Sequence, residues 1–485
     1  MNRSTELSRV LTKGGVLTPS YLNNILDVAE KAGNDTVFFG SRQDIIFYRN
    51  QMSDSANVQE NSGNVLFFDR EYAYQNVVSS YVCVDILPST AWVHSGTYLN
   101  VLDQIEYKHT LRVNIVDPKQ NLVPLFFGNL NFIASQTPNY WFLYLKFGEQ
   151  EEAKKWPGLI FTDDIASMAI YLEKMWIKTP EIAIEQLIHG LPLNFPVHTF
   201  ESDEKLHIPE GFFPYYEGLN KNENDETFWA GFYWRNNKYP VQFLREINQL
   251  CNQTGLGKIC ITPWKTFLIK GISPEHKIFW EALIGQYGIN MRHSSFELNW
   301  HLPLLDKEAY KLKKFIVSRF DQFDIRTFGI SFSIQTKPME LFTNVVIKIE
   351  GKSILPSWMD TFRTYSIYYA FDFNPNSSQY LLFEQNISKN DLPQKLNELT
   401  KRYYTEISVP GRDAWMKPAK SITTQSFVIQ KCSDCGTVYD QRYGDVLAGI
   451  QAGTPFKLLP PNYSCPVCEN QKSEFETAEI IEVLE

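Results

Sequence analysis

Apolar residues recur at helical spacing from Leu17, where the chain reads Leu-Thr-Pro-Ser-Tyr-Leu-Asn-Asn-Ile-Leu-Asp-Val-Ala-Glu-Lys-Ala-Gly. Leu22, Ile25, Leu26 and Ala29 fall on one face, Thr18 can cap the first turn, Pro19 suits the first helical position and Gly33 ends the pattern. This predicts one amphipathic helix. Two short apolar runs follow, 36–39 and 44–48, and read as strands flanking the turn Gly40-Ser41-Arg42-Gln43. The same succession returns later in the chain. Pro240 opens a helix whose apolar face carries Leu244, Ile247 and Cys251, Gly255 closes it, and strands at 258–261 and 266–269 flank the turn Thr262-Pro263-Trp264-Lys265. One helix-strand-turn-strand unit occurring twice, with its turn in the same place, indicates an internal duplication.

Between the copies, 111–116 and 140–147 read as strands and 164–175 as a helix. Residues 201–227 are polar and rich in Gly, Pro, Asn and Glu, which puts the boundary between two halves there. The second half runs on through apolar segments at 315–334 and 344–350. The stretch 411–426 lacks apolar periodicity and is a linker candidate. The expected organisation is a first half over 1–205, a second over 206–410, the linker 411–426 and a small terminal domain over 427–485.

Composition narrows the class. The chain has 485 residues, 44% of them hydrophobic and 14% aromatic, which is a globular composition long enough for several cores. A formal net charge of -9 supplies no general attraction for nucleic acid. Neither a signal-peptide pattern nor an apolar run of spanning length is present, so the expected location is the cytoplasm, with no membrane partner.

Seven cysteines are present. Cys83, Cys251 and Cys260 sit singly among apolar neighbours, as core thiols do. The other four form Cys432-Ser-Asp-Cys435-Gly436 and Cys465-Pro-Val-Cys468, two CxxC knuckles separated by 29 residues. Four thiolates so arranged can close a tetrahedral site suited to iron or zinc, and the spacing alone does not choose between them.

The surrounding residues do favour one metal. Tyr439-Asp440, Gly444-Asp445, Gly453-Thr454-Pro455-Phe456, Leu459-Pro460, Tyr463 and Phe475 fall around the knuckles so that 427–476 resembles a rubredoxin. The resemblance implies one iron, cycling between Fe(III) and Fe(II), held by Cys432, Cys435, Cys465 and Cys468, with zinc as a possible substitute. Gly436 tolerates the positive φ needed after a knuckle's second cysteine. Two residues depart from the pattern. Glu469 stands where rubredoxins carry a second such glycine, at a cost of about 1 kcal/mol if its φ is positive, and Tyr463 stands where tryptophan is common. From 428 to 485, nine acidic residues face four basic ones, a surface able to steer a basic redox partner.

Residues 14–408 resemble, less specifically, the duplicated ferredoxin-like half-domains of assimilatory nitrite and sulfite reductases. The fold class expected is therefore α+β: a duplicated ferredoxin-like half-domain reductase scaffold followed by a small rubredoxin-like metal domain. In that family a Thr-Arg-Gln turn helps hold the substrate anion at sirohaem, and Ser41, Arg42 and Gln43 match it here, with Lys265 as a weaker counterpart in the second turn. The family's Lys-x-Lys pair appears as Arg112-Val113-Asn114, keeping one cation. Arg42 and Arg112 are thus the candidate anion or tetrapyrrole contacts. The family's four cysteines for a 4Fe–4S cluster bridged to sirohaem have no counterpart, so no 4Fe–4S cluster is expected and sirohaem is not carried over. His293 and His301, eight apart, match no common metal motif.

These readings order the functions. The preferred one is an electron carrier, with a rubredoxin or ferredoxin reductase as donor and a nitrite or sulfite reductase as acceptor, the scaffold deciding the partner. The alternative is a reductase that binds sirohaem or another tetrapyrrole and uses the rubredoxin as an internal donor. A zinc-stapled interaction protein without redox chemistry is the third.

Overall fold

The structure is a computed structural model that describes residues 7–49, 66–69, 77–105, 110–147, 153–179, 184–189, 197–209, 211–223, 225–289, 299–350, 363–377, 379–406 and 423–484. His293 and most of the expected linker lie outside them.

The first repeat unit is β1 (Leu7–Val10), β2 (Val16–Leu17), α1 (Pro19–Lys31), β3 (Thr36–Phe39), β4 (Ile45–Tyr48) and β5 (Leu66–Asp69). Thr18 caps α1 by accepting from the Tyr21 amide, and Leu22, Ile25, Leu26 and Ala29 are buried, as their spacing requires. There follow β6 (Val78–Ser79), α2 (Ser95–Gln104), β7 (Val113–Val116), β8 (Leu130–Ala134), β9 (Tyr140–Leu145), β10 (Lys154–Lys155), β11 (Leu159–Phe161), α3 (Ile165–Lys178), α4 (Ile184–His189) and β12 (Thr199–Phe200).

The second repeat unit is β13 (Gly218–Lys221), β14 (Phe228–Phe232), β15 (Tyr239–Pro240), α5 (Val241–Gln253), β16 (Ile259–Ile261) and β17 (Phe267–Ile272). It continues as α6 (Lys277–Gln286), β18 (Trp300–His301), α7 (Lys307–Gln322), β19 (Phe332–Gln335), β20 (Val345–Glu350), β21 (Thr364–Ala370), β22 (Tyr380–Ser388) and α8 (Leu392–Glu406). The terminal unit is β23 (Thr423–Cys432), β24 (Val438–Tyr439) and β25 (Phe475–Leu484).

The two repeat units exchange an edge strand. One sheet runs β15-β3-β4-β1-β5 and the other β13-β14-β17-β16-β2, so each unit lends a two-residue strand to its counterpart. Tyr239 pairs with Val37 as Leu17 pairs with Ile259, each position displaced by 222 residues from its equivalent. Gly14 and Gly15, with φ of 59° and 84°, correspond to Asn236 and Asn237, with φ of 54° and 59°. Asparagine tolerates the left-handed region where glycine is absent, and its side chain adds what glycine lacks. Asn237 bonds both the amide and the carbonyl of Phe39, at 2.9 and 2.7 Å.

α1 and α5 pack together, and one apolar core includes Leu22, Leu26, Phe39, Leu244, Ile247 and Trp280 from both units. The duplication also extends past the unit visible in sequence. The sheet β6-β7-β8-β9-β11-β12 starts with two parallel pairings and continues antiparallel, and the sheet β18-β19-β20-β21-β22 does the same. α2 and α3 in the first half correspond in order to α7 and α8 in the second.

The fifth sheet, among the described residues, is β24-β23-β25. Thr423–Cys432 pairs along its whole length with Phe475–Leu484, so residues 423–426, placed in a linker by composition, form ladder pairs such as Thr423 with Leu484. Among the described residues no helix is long and apolar enough to cross a membrane.

Candidate metal centre and the cavity behind it

Two hydrogen-bonded knuckles build the metal centre. In the first, the Cys432 amide donates to Thr437 O at 2.8 Å and the Gly436 amide to Cys432 O at 2.8 Å. In the second, the Cys465 amide donates to Asn470 O at 2.7 Å and the Glu469 amide to Cys465 O at 2.8 Å. The residues after the second cysteines are both left-handed, Gly436 at φ 73° and Glu469 at φ 62°. Glu469 therefore does adopt the conformation that its glycine-like position demands.

All four sulfurs lie within 4.8 Å of one another, with Cys432 to Cys468 at 3.5 Å and Cys435 to Cys465 at 3.4 Å. A metal–sulfur bond of about 2.3 Å gives a tetrahedron edge of about 3.8 Å, so the set fits one tetrahedral ion. Thr437 places its amide 3.4 Å and its hydroxyl 2.9 Å from the Cys435 sulfur, both able to donate to a thiolate.

Tyr439, Leu459 and Tyr463 are the buried centre of this unit, with Phe456 and Phe475 packed on them. The Tyr463 hydroxyl donates to Asp445 at 2.8 Å, and burial followed by that carboxylate pushes its pKa up. Tyrosine thus replaces the expected tryptophan with its polar end satisfied.

The metal unit is seated on the second half. A Cβ on Gly285 would lie 2.3 Å from the Tyr443 ring, so only glycine at this position of α6 lets that ring approach. Lys314 of α7 reaches Asp434, between the first two cysteines, at 2.8 Å. Cys468 borders a cleft of about 210 Å³ together with Arg235, Tyr310, Lys311, Lys313 and Lys314.

A larger cavity of about 550 Å³ lies in the scaffold, lined among others by Arg9, Arg112, Lys265, His301, Lys337 and Glu340. Arg112 pairs with Glu340 at 2.5 Å, and Arg9 pairs with the buried Asp44. Burial pulls the Lys265 pKa down to about 7, partly opposed by Asp44, and its ammonium group donates to Leu302 O. His301 is 4% exposed, and burial first and Lys265 second hold its pKa well below the ordinary value, leaving a neutral imidazole. Its ring lies 4.2 Å from that of Phe342, and its Nδ1 has no hydrogen-bond partner among the described residues.

Arg42 does not line this cavity, whereas its neighbours Gly40 and Ser41 do. Its side chain is 1% exposed and turned inward, donating from Nη1 to Asn114 Oδ1 at 2.7 Å and Phe127 O at 3.3 Å, and from Nη2 to Val113 O at 2.8 Å. Burial and then Arg112 depress its pKa. Gln43 holds Ser79 by its amide and carbonyl, at 2.8 and 3.0 Å. The equivalent second turn aims Trp264 inward, its indole donating to Leu122 O at 3.0 Å, and gives Lys265 the left-handed φ of 61° that Gln43 has at 62°.

Of the residues named from sequence, the structure brings Arg112, Lys265 and His301 to one cavity and keeps Arg42 beneath its wall. Arg9, Lys337 and Glu340 were not anticipated. Only Arg9 carried a signal, as a charge inside the apolar strand Leu-Ser-Arg-Val. Among the described residues no cysteine lines the cavity, so its donor set does not fit a cluster bridged to sirohaem. Cys83, Cys251 and Cys260 are buried, with burial pushing all three thiols up, Cys251 to about 12.

Fold and site together define a single-metal tetrathiolate domain of the rubredoxin type joined to a duplicated ferredoxin-like scaffold. Residues 430–475 match the Rubredoxin family, and residues 5–61 match the nitrite/sulfite reductase ferredoxin-like half domain. Rubredoxin-1 of Chlorobaculum tepidum is 43% identical over 44 residues, covering 9% of this chain and 64% of that protein. Rubredoxin-2 of the same organism is 47% identical over 45 residues, covering 9% and 86%. The probable rubredoxin HupI of Bradyrhizobium diazoefficiens is 47% identical over 49 residues, covering 10% and 71%. Over its C-terminal stretch the chain belongs to the rubredoxin family. Across the scaffold, the Mycobacterium tuberculosis NirA protein structure superposes with a TM-score of 0.63 over 84% of this chain and 82% of that one, at 14% identity, which shows a shared fold.

Proposed function

We propose that the chain is a one-electron carrier in which iron held by Cys432, Cys435, Cys465 and Cys468 alternates between Fe(III) and Fe(II). Bound there, the iron supplies reversible electron storage without an open coordination position. The protein supplies the thiolates, the Thr437 donors and an apolar shell. The observation that carries this reading is the closure of four sulfurs within 4.8 Å by two matching knuckles. The donor is a rubredoxin or ferredoxin reductase, the acceptor a nitrite- or sulfite-reductase-type protein recognised by the scaffold, and the compartment the cytoplasm.

Seating of the Cys468 side on the scaffold supports transfer through the second half. Tyr310, Lys313 and Asn236 border a small cleft that Lys265, Leu302 and Trp300 also line, and Lys265 and Leu302 border the 550 Å³ cavity beyond. Full-length protein from iron-supplemented cells is expected to show visible ferric-thiolate bands that bleach with dithionite. Colourless protein with one zinc would refute the carrier.

His301 favours a second reading. A buried neutral imidazole with an unpartnered nitrogen, beside Arg112, Lys265 and Lys337, suits an anionic tetrapyrrole as internal acceptor, Arg112 and Lys337 holding its carboxylates and His301 offering a nitrogen donor. Arg112 would have to exchange Glu340 for the ligand. A Soret band in purified protein, lost in Arg112→Ala and His301→Ala, is the expected sign; its absence in the wild type removes this reading and leaves the carrier intact.

A further inference from the structure

We infer that the cationic face of α7 binds the metal unit more tightly when its iron is reduced, so that seating on the scaffold and the reduction potential are linked. This rests on the iron reading above. The metal unit is acidic, whereas α7, Lys-Glu-Ala-Tyr-Lys-Leu-Lys-Lys-Phe-Ile-Val-Ser-Arg-Phe-Asp-Gln, carries five basic and two acidic residues. Lys311, Lys313 and Lys314, with Arg235 from the turn before β15, border the same cleft as the Cys468 thiolate. Lys314 also grips Asp434, which is mostly covered at 19% exposure.

Four thiolates around ferric iron leave one net negative charge, and the electron taken up from a reductant converts Fe(III) to Fe(II) and leaves two. No bond breaks and no proton is required. Nearby cations therefore stabilise the reduced centre more than the oxidised one. By thermodynamic reciprocity, a face that raises the iron's electron affinity is also a face that the reduced unit prefers. Oxidation on delivery of the electron then loosens the seat and frees the unit to meet its donor. Glu469, exposed beside Cys468, pulls the potential the other way.

The steric part of the seat, Tyr443 against Gly285 and Pro466 with Thr437 against Gly288, is indifferent to redox state. The charged part can be changed alone, because Lys311 and Lys314 are exposed and outside any apolar core. The test is spectroelectrochemistry of full-length protein at low and high salt, comparing wild type, Lys311→Glu/Lys314→Glu and the milder Lys311→Gln/Lys314→Gln. A tenfold preference for the reduced state appears as a potential about 59 mV lower in a variant that has lost it. The expected result is wild type highest at low salt, charge reversal lowest, the glutamine variant between them, and convergence at high salt. Equal potentials for all three at low salt, or a wild-type potential indifferent to salt, overturn the linkage. Loss of the iron bands themselves would instead count against the carrier reading, so the two failures are distinct.

Discussion

Replacing Arg42 by methionine keeps most of the stem's volume and removes the guanidinium. At least three acceptors then lose this donor inside the protein, Asn114 Oδ1, Val113 O and Phe127 O among them. The contact of the cation with the Phe127 ring, 5.2 Å from its centroid, goes as well. A buried acceptor left unpaired costs about 1–3 kcal/mol. Asn114 can recover part of this by rotating, and the cost of burying a charge is no longer incurred. The balance is a loss of about 3 kcal/mol from the scaffold. Urea unfolding followed by tryptophan fluorescence measures it, and the iron bands serve as a control that should not move at zero denaturant. A loss below about 1 kcal/mol would refute the inward hydrogen-bonding role. Unchanged stability with abolished anion or tetrapyrrole binding would return Arg42 to the ligand.

Glu469→Gly removes a non-glycine residue at φ 62° and should stabilise the metal unit by about 1 kcal/mol, read as a higher temperature for loss of the iron bands; an unchanged or lower temperature contradicts it. Removing the metal with a chelator should unfold the C-terminal unit while scaffold circular dichroism persists, because Tyr439, Leu459 and Tyr463 are its only buried core cluster among the described residues. Lys265 has a folded pKa of about 7 against an ordinary 10.5. The unfolded chain therefore holds the extra proton between those values, and stability is lost as pH falls from the upper to the lower. Lys265→Met should flatten that slope and stabilise the scaffold at pH 7 by a few kcal/mol at most, each pKa unit being worth about 1.4 kcal/mol; parallel pH profiles for the two proteins would disprove it.

What was legible in the sequence was whatever a few residues must satisfy locally. The knuckles need cysteines at fixed spacing and a left-handed residue after each pair, and the metal unit's aromatic core follows. The repeat was visible at α1 and α5 because proline, an apolar stripe and a terminal glycine mark both. Its extension through α2–α3 and α7–α8 was not, because β7, β8 and β19 are short buried strands whose sequences, Val-Asn-Ile-Val, Leu-Asn-Phe-Ile-Ala and Phe-Ser-Ile-Gln, share no pattern that marks them as equivalents. The exchange of β2 and β15 was hidden for a simpler reason: two residues carry no periodicity. The cavity drew Arg9, Arg112, Lys265, His301 and Glu340 from separate strands and loops, which only tertiary structure assembles.

The duplicated turn explains why Arg42 and the cavity are separate. Both turns share one backbone path, with the third residue directed inward and the fourth left-handed. The third position is therefore an interior site whichever side chain it holds. Trp264 suits it by packing and one hydrogen bond, while Arg42 requires the acceptors of Asn114, Val113 and Phe127. Asparagine at 114, where the resemblance implies a cation, is what makes an inward arginine tolerable, since a lysine there would face it. The fourth position is where the two turns diverge: Gln43 is engaged with Ser79, and Lys265 reaches the cavity and the cleft leading toward Cys468. The second half thus adds Lys265 and Lys337 to the cavity's cations, while the first half's Arg9 and Arg112 are paired with Asp44 and Glu340. The tetrapyrrole reading proposed above therefore requires Arg112 to release Glu340, so that ion pair is the contact which that reading expects to rearrange.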